Sequence, residues 1–200
     1  MAAMTPTIRL ATDDDAAALA RIYAPNIVDS VISFEATPPD AAAMAARVHG
    51  VQTVAPWLVC EAGEVLGYAY ASRHRERAAY RWAIDVSVYV DRRQHRRGVG
   101  RALYTSLLAL VRVQGFHRAH AGITLPNAPS VGLHESFGFA PVGVYPAVGY
   151  KLGAWRDVGW WQLALRAPDG EPAEPRTPAQ LAADPRWHDA MASGLPLLGR

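Results

Sequence analysis

Cysteine is almost absent. Cys60 is alone among 200 residues, which excludes an intramolecular disulfide and suits a reducing compartment. Its setting, Trp57-Leu-Val-Cys, is apolar, so it reads as a buried strand residue rather than a nucleophile. Long apolar runs are missing too. None approaches the ~18 residues of a membrane span, so no membrane association is expected. Met1-Ala-Ala-Met-Thr-Pro has neither a basic start nor an apolar signal core, and the expectation is a cytoplasmic protein. The chain has no internal repeat. No Gly-Lys-Ser/Thr occurs, which excludes a P-loop. His49, His74, His117, His120 and His188 show no ligand spacing, so no metal is expected.

What is present is a chain of domain size, 50% hydrophobic, with an uneven charge. Its net charge is +2. The segment Arg73–Arg101 carries nine arginines against Glu76, Asp85 and Asp91, and the remainder is net acidic. A confined basic block points to a localised anionic ligand rather than to a nucleic-acid surface, and no nucleic-acid partner is expected.

Periodicity predicts an α/β fold. Thr7–Ala11 reads as a strand, followed by a helix capped by Thr12 with Asp13, Asp14 and Asp15 in its first turn. Thr37-Pro38 predicts a second helix start, running toward Gly50. Trp57–Glu61 and Val65–Arg73 read as a hairpin. In Trp82–Val90, alternation puts Asp85, Ser87 and Tyr89 on one face. A helix begins near Gly98, with the stripe Val99, Leu103, Leu107, Leu110 and Val111, and stops at Gly115. His117–Thr124 reads as a strand and Asn127–Phe137 as a helix ended by Gly138. Two more strands lie near Phe139–Gly149 and Val158–Arg166. Trp155, Trp160 and Trp161 read as core or dimer-interface aromatics. Pro168, Pro172, Pro175, Pro178 and Pro185 mark residues 167–200 as a tail outside the core of a domain spanning 1–166, with one helical turn around Ala179–Ala183.

Chemistry concentrates where strand 82–90 leads through Arg92, Arg93, Arg96 and Arg97 into Gly98-Val99-Gly100. Backbone N–H groups converging at a helix start, glycines that allow close approach and nearby guanidinium groups together suit a diphosphate. The spacing is not the Gly-x-Gly-x-x-Gly of dinucleotide folds, because Tyr104 and Thr105 follow.

His95-Arg-Arg-Gly-Val-Gly-Arg after Val88-Tyr-Val resembles the acetyl-CoA motif of the GCN5-related N-acetyltransferases. Asn127-Ala-Pro-Ser-Val-Gly-Leu-His-Glu-Ser-Phe-Gly-Phe is similar to that family's next block. Tyr80-Arg-Trp, Ser87-Val-Tyr-Val, Gly149-Tyr-Lys-Leu-Gly-Ala-Trp-Arg-Asp-Val and Trp161-Gln-Leu resemble the phosphinothricin and methionine-sulfoximine N-acetyltransferases in particular. The likeness covers residues 7–166. It implies a central mixed, mostly antiparallel sheet flanked by helices. It also implies acetyl-CoA as co-substrate, direct transfer to the amino group of an amino-acid-like acceptor, and a homodimer.

By position, the resemblance gives cofactor contacts to Val88, Tyr89, Val90, His95, Arg96, Arg97, Gly98, Val99, Gly100, Arg101 and Asn127. It places Phe34, Arg75, Glu76, Arg77, Tyr80, Asp85, Val86 and Ser87 at the acceptor. Arginines beside a hydroxyl-bearing strand suit a carboxylate or phosphinate, which guanidinium groups bind in bidentate fashion. Asp85 stands where the family usually has a catalytic Glu, and is expected to take the amine proton despite being one methylene shorter. His134 stands where many relatives have a general-acid Tyr, and is expected to assist departure of the thiolate. His95 replaces Gln or Arg at the first motif position. The shortened acid keeps open an acetyl-CoA-binding protein with little turnover. An acceptor that is a protein N-terminus or an antibiotic also stays open.

Overall fold

The computed structural model describes residues 5–198; the start of the N-terminal stretch read above against export lies outside them. The strands are β1 (Thr7–Leu10), β2 (Trp57–Glu61), β3 (Val65–Arg73), β4 (Ala83–Val90), β5 (Arg118–Leu125), β6 (Ala140–Lys151) and β7 (Ala154–Ala164). The helices are α1 (Ala16–Val28), α2 (Ala41–Gln52), α3 (Val99–Gln114), α4 (Ala128–Ser136), α5 (Pro178–Leu181) and α6 (Pro185–Ala192). The strands form one sheet in the order β1-β2-β3-β4-β5-β7-β6. Every pairing is antiparallel except β4 with β5.

Alternation along β3 and β4 divides the core. Ala69, Ala71, Ile84 and Val86 face α3, whose Leu103, Leu107 and Leu110 are fully buried. Tyr68 and Val59 face α1 and α2, meeting Leu19, Ile27, Met44 and Val48. Cys60 is buried in β2, as its apolar setting predicts, and burial pushes its thiol pKa up to about 11. Gly98 and Gly115 bound α3 in left-handed conformation, at φ +80° and +104°.

Two expectations fail. The second helix is capped by Asp40, whose carboxylate accepts from Ala43 N at 2.7 Å, and not by Thr37. Pro39 disfavours helical geometry at Pro38, so the helix waits for Ala41. The proline-punctuated tail is not outside the core. Leu181, Trp187 and Ala190 are buried in the cluster that surrounds α3. Ser106 Oγ donates to Met191 O at 2.7 Å and accepts from Gly194 N at 3.1 Å. Gly194 passes so close that a Cβ there would lie 2.0 Å from Ala102 O. The prolines set helix starts, with Pro178 and Pro185 each occupying the first turn of a short capped helix. No helix among the described residues is long and apolar enough to cross a membrane.

Candidate active site

The site begins where a ladder stops. β4 and β5 pair only from Ala83↔Arg118 to Asp85↔His120. Beyond that rung β4 stays with β3 to Val90 and β5 stays with β7 to Leu125, so the two strands part. Backbone polar groups of β4 on the β5 side are left without a ladder partner, a costly arrangement unless a ligand or water supplies one. The resulting cleft is lined by Val86–Tyr89, Ala121–Thr124, Asn127, Ser130, His134 and Ile32.

At the C-terminal end of β4, Asp91 anchors the basic loop. Its carboxylate accepts from Arg93 N and Nε and Arg93 Nη2, and from Arg21 Nη1, at 2.9–3.1 Å. These cations hold its pKa far below the usual carboxylate range, Arg93 most of all. Two of the four loop arginines are thereby spent, because Arg92 meets Asp29 and Arg93 meets Asp91 and Glu64. Arg96, at φ +62°, and Arg97, bonded only to Gln94 Oε1, have no carboxylate partner among the described residues. The expected attraction from all four therefore reduces to these two. His95 Nε2 lies 3.1 Å from Val90 O, so its ring folds back on the strand end. Arg101 donates to Ser136 Oγ and covers the Phe137 ring. Asn127 caps α4 through Ser130 N at 3.2 Å while lining the cleft. A Cβ on Gly100 would meet Val90, Leu133 and Val88 only at ordinary contact distance, whereas one on Gly98 would lie 2.7 Å from Leu197 O of the tail.

Of the acceptor-side residues, Val86 does not present its side chain, which is buried against α3. The Tyr89 ring packs against Tyr23 and Tyr68, and burial raises its pKa. Phe34 lies directly over Gly149, with ring carbons where a Cβ would be. Its loop is pinned by Lys151 Nζ, which donates to Ser33 O and Glu35 O at 2.5 and 3.0 Å. Arg75, Glu76, Arg77 and Tyr80 are exposed. With Arg73 and Phe116 they line a cavity of about 330 Å³ closed on one side by Glu174, Pro175 and Thr177 of the tail. That cavity lies at the opposite end of β4 from the Gly98 helix start.

Asp85 is not a free carboxylate. Its Oδ1 lies 2.7 Å from His74 Nδ1, and burial raises its pKa against the opposing pull of His74. The His120 ring stacks on His74 at 4.2 Å. Burial, then the neighbouring His74, pushes the His120 pKa down to about 4. Neither histidine was singled out by sequence spacing. The register would have found them, because Asp85 faces Ser72, two residues before His74, and is the rung partner of His120.

His134 lines the cleft, but the expected proton-donor role does not fit its bonds. Nδ1 lies 2.8 Å from Ser130 O, and a carbonyl only accepts, so Nδ1 carries the hydrogen. Nε2, 3.0 Å from Tyr104 Oη, then accepts. Burial lowers the His134 pKa and raises that of Tyr104. In the neutral form that burial favours, the single ring proton is held by Ser130 O, which leaves His134 none to give a departing thiolate.

The chain is similar to known proteins in sequence and fold. Residues 8–160 match the acetyltransferase (GNAT) domain. The chain is 42% identical over 162 residues to phosphinothricin N-acetyltransferase of Streptomyces viridochromogenes, covering 80% of this chain and 88% of that one. It is 36% identical over 168 residues to L-methionine sulfoximine/L-methionine sulfone acetyltransferase of Pseudomonas aeruginosa, covering 81% and 96%. A phosphinothricin acetyltransferase from Sinorhizobium meliloti, solved in complex with AcCoA, superposes with a TM-score of 0.81 at 34% identity, covering 86% of this chain and 95% of that one. With its sheet parted beside a glycine-opened helix, this chain belongs to the GNAT family of acetyltransferases.

Proposed function

We propose that this protein moves the acetyl group of acetyl-CoA directly onto the amino group of a small amino-acid-like acceptor bearing a second anionic or strongly polar oxygen group. Phosphinothricin and methionine sulfoximine or sulfone are the leading candidates. The parted β4–β5 pair carries the reading, because its unpaired backbone offers an extended amide-bearing arm the ladder that β5 withholds. Val88, Tyr89 and Val90 would hold that arm by their backbones. The start of α3 at Gly98, Val99 and Gly100 would take the pyrophosphate by its N–H groups, with Arg96 and Arg97 adding charge. His95, Arg101 and Asn127 would fix the loop and the neighbouring helix more than they touch the ligand.

At the other end of β4, Arg75 and Arg77 would engage the acceptor's anion, with Phe34, Tyr80 and Ser87 bounding its side chain. Asp85 and the His74 bonded to it supply the proton-accepting end. A backbone N–H near Tyr89 would meet the charge developing on the acetyl oxygen, and with positioning this supplies most of the acceleration. Since His134 has no proton to spare, the departing sulfur takes its proton from the amine or from water.

The protein is further read as a homodimer. The edge strand β6 and the turn into β7 expose Val142, Val144, Tyr145, Tyr150, Leu152 and Trp155, each at least half exposed. An uncovered edge of this length invites pairing with another copy.

Thiol release from acetyl-CoA tests the function. The panel contains phosphinothricin, methionine sulfoximine, methionine sulfone, ordinary amino acids and an alanine-initiated peptide. Turnover confined to the first three supports the proposal. Turnover with the peptide alone moves the acceptor to protein N-termini, and binding of acetyl-CoA without release leaves a binding protein.

A further inference from the structure

Asp85 is the residue that the motif marks as a base, yet another ring stands bonded to it. His74 Nδ1 and Asp85 Oδ1 are 2.7 Å apart. An ionised carboxylate only accepts, so Nδ1 carries the hydrogen and the neutral ring keeps its basic lone pair on Nε2. Nε2 has no hydrogen-bond partner among the described residues, and it is not among the polar atoms sealed from solvent.

The ring is also held. His120 stacks on it at 4.2 Å with planes 16° apart, and Trp160 and Tyr80 meet it edge-on at 5.9 and 6.0 Å. Gly122 makes room for this, since a Cβ there would press on Trp160 at 3.2 Å. The charged and titratable groups facing His74 are Asp85 from β4, His120 from β5, Arg75 from its own loop and Tyr80 from the following turn. Asp85 is the one anion among them. The cluster sits at the last rung of β4 and β5, where the cleft opens.

We infer that His74 takes the proton from the acceptor ammonium at Nε2, with Asp85 as the positioning residue that fixes the ring's tautomer and balances its charge. This rests on the acetyltransferase reading above. One ammonium proton passes to Nε2. The freed nitrogen pair forms the C–N bond to the acetyl carbon as the C–S bond breaks. A second nitrogen proton goes to the sulfur, giving the free thiol, and the imidazolium then releases its proton to water. The imidazole supplies the reach that the shorter aspartate lacks, and a carboxylate that only orients a ring need not itself touch the amine.

The test measures kcat/KM against pH with an accepted substrate, for the wild type, His74→Gln, Asp85→Asn and the double variant. His74→Gln can keep a hydrogen bond to Asp85 but has no basic nitrogen. It should lose ~10²–10⁴-fold and flatten the low-pH limb that the pair creates. The double variant should be no worse than the worse single one, because the two act as a unit. Nitrogen-15 NMR of the wild-type histidines should show His74 protonated at Nδ1. That readout does not depend on any variant folding. His74→Gln within threefold of wild type while Asp85→Asn collapses would overturn the inference, as would an Nε2–H tautomer. Absence of wild-type turnover would sink the acetyltransferase reading together with it, whereas an active wild type with an indifferent His74 sinks this inference alone.

Discussion

Replacing Trp187 by Ala should cost this protein a large share of its stability, although Trp187 lies beyond the residues matched to the acetyltransferase domain. The family match ends at residue 160. Trp187 is only 3% exposed and packs in the cluster that contains Leu103, Leu107 and Leu110 of α3. Truncating a buried Trp to Ala removes its transfer energy and leaves a cavity, about 3–5 kcal/mol together. A domain of this size is stable by roughly 5–15 kcal/mol, so the variant should still fold while its melting temperature falls by about 6–20 °C. Urea unfolding followed by tryptophan fluorescence and circular dichroism measures the loss. Ending the chain at residue 166 should do more, because Leu181 and Ala190 go with Trp187 and the Ser106 hydroxyl loses both of its tail partners. A change under ~1 kcal/mol for Trp187→Ala would mean that the tail does not cover α3 in solution, and the packing argument fails.

Gly100→Ala should leave stability unchanged or improved, since its Cβ meets only ordinary contacts, and should weaken acetyl-CoA binding about tenfold, ~1.4 kcal/mol, by obstructing backbone approach. Gly98→Ala should lose stability as well, from its positive φ and the Leu197 carbonyl; calorimetry beside thermal melts separates the two, and full affinity in Gly100→Ala refutes the pyrophosphate assignment. Asp91→Asn should destabilise by about 1.5–3 kcal/mol at neutral pH, the range for hydrogen bonds to a charged group. Because Arg93 and Arg21 depress the folded pKa of Asp91, its stabilisation is complete above the unfolded value near ~4 and fades as pH falls. The gap between variant and wild type should therefore close by acid pH in urea titrations, and a gap independent of pH would contradict the charge argument. Trp155→Asp should convert a dimer to a monomer by light scattering at micromolar concentration, and a wild type already monomeric there refutes the β6 interface.

Much of the sheet and the bounds of α3 were legible because their signals are local. The hairpin bounds Trp57–Glu61 and Val65–Arg73 agree with the structure, and Gly115 stops α3 where the pattern ends. The tail was not legible, because its burial depends on a surface elsewhere in the chain. A signal did exist in α3, which buries Ala102, Ser106 and Leu108 as well as the stripe through Leu103 and Leu107. A helix apolar on one face and lined with small residues on another is prepared for two partners, and the small residues let Gly194 approach its backbone. The insertion of β7 between β5 and β6 was likewise invisible, since strand order leaves no periodicity.

The arginine block shows how a single feature in sequence becomes two in space. β4 interrupts the block, and eight extended residues span roughly 25 Å. Arg73, Arg75, Arg77 and Arg81 therefore stand at one end of the strand and Arg92, Arg93, Arg96, Arg97 and Arg101 at the other. Acidic partners then sort each group. Arg81 is paired with Glu174 at the first end, and Arg92 and Arg93 with carboxylates at the second. What remains uncommitted to carboxylates among the described residues is a small cationic set at each end, Arg73, Arg75 and Arg77 before the cleft and Arg96, Arg97 and Arg101 after it. An extended co-substrate with its diphosphate at one end needs the second set, and an acceptor carrying an anion beside its amine needs the first. The two would meet between them, at the rung where Asp85, His74 and His120 converge. On the proposed function the charges would act as two separate poles rather than one field, with the reacting groups held between them.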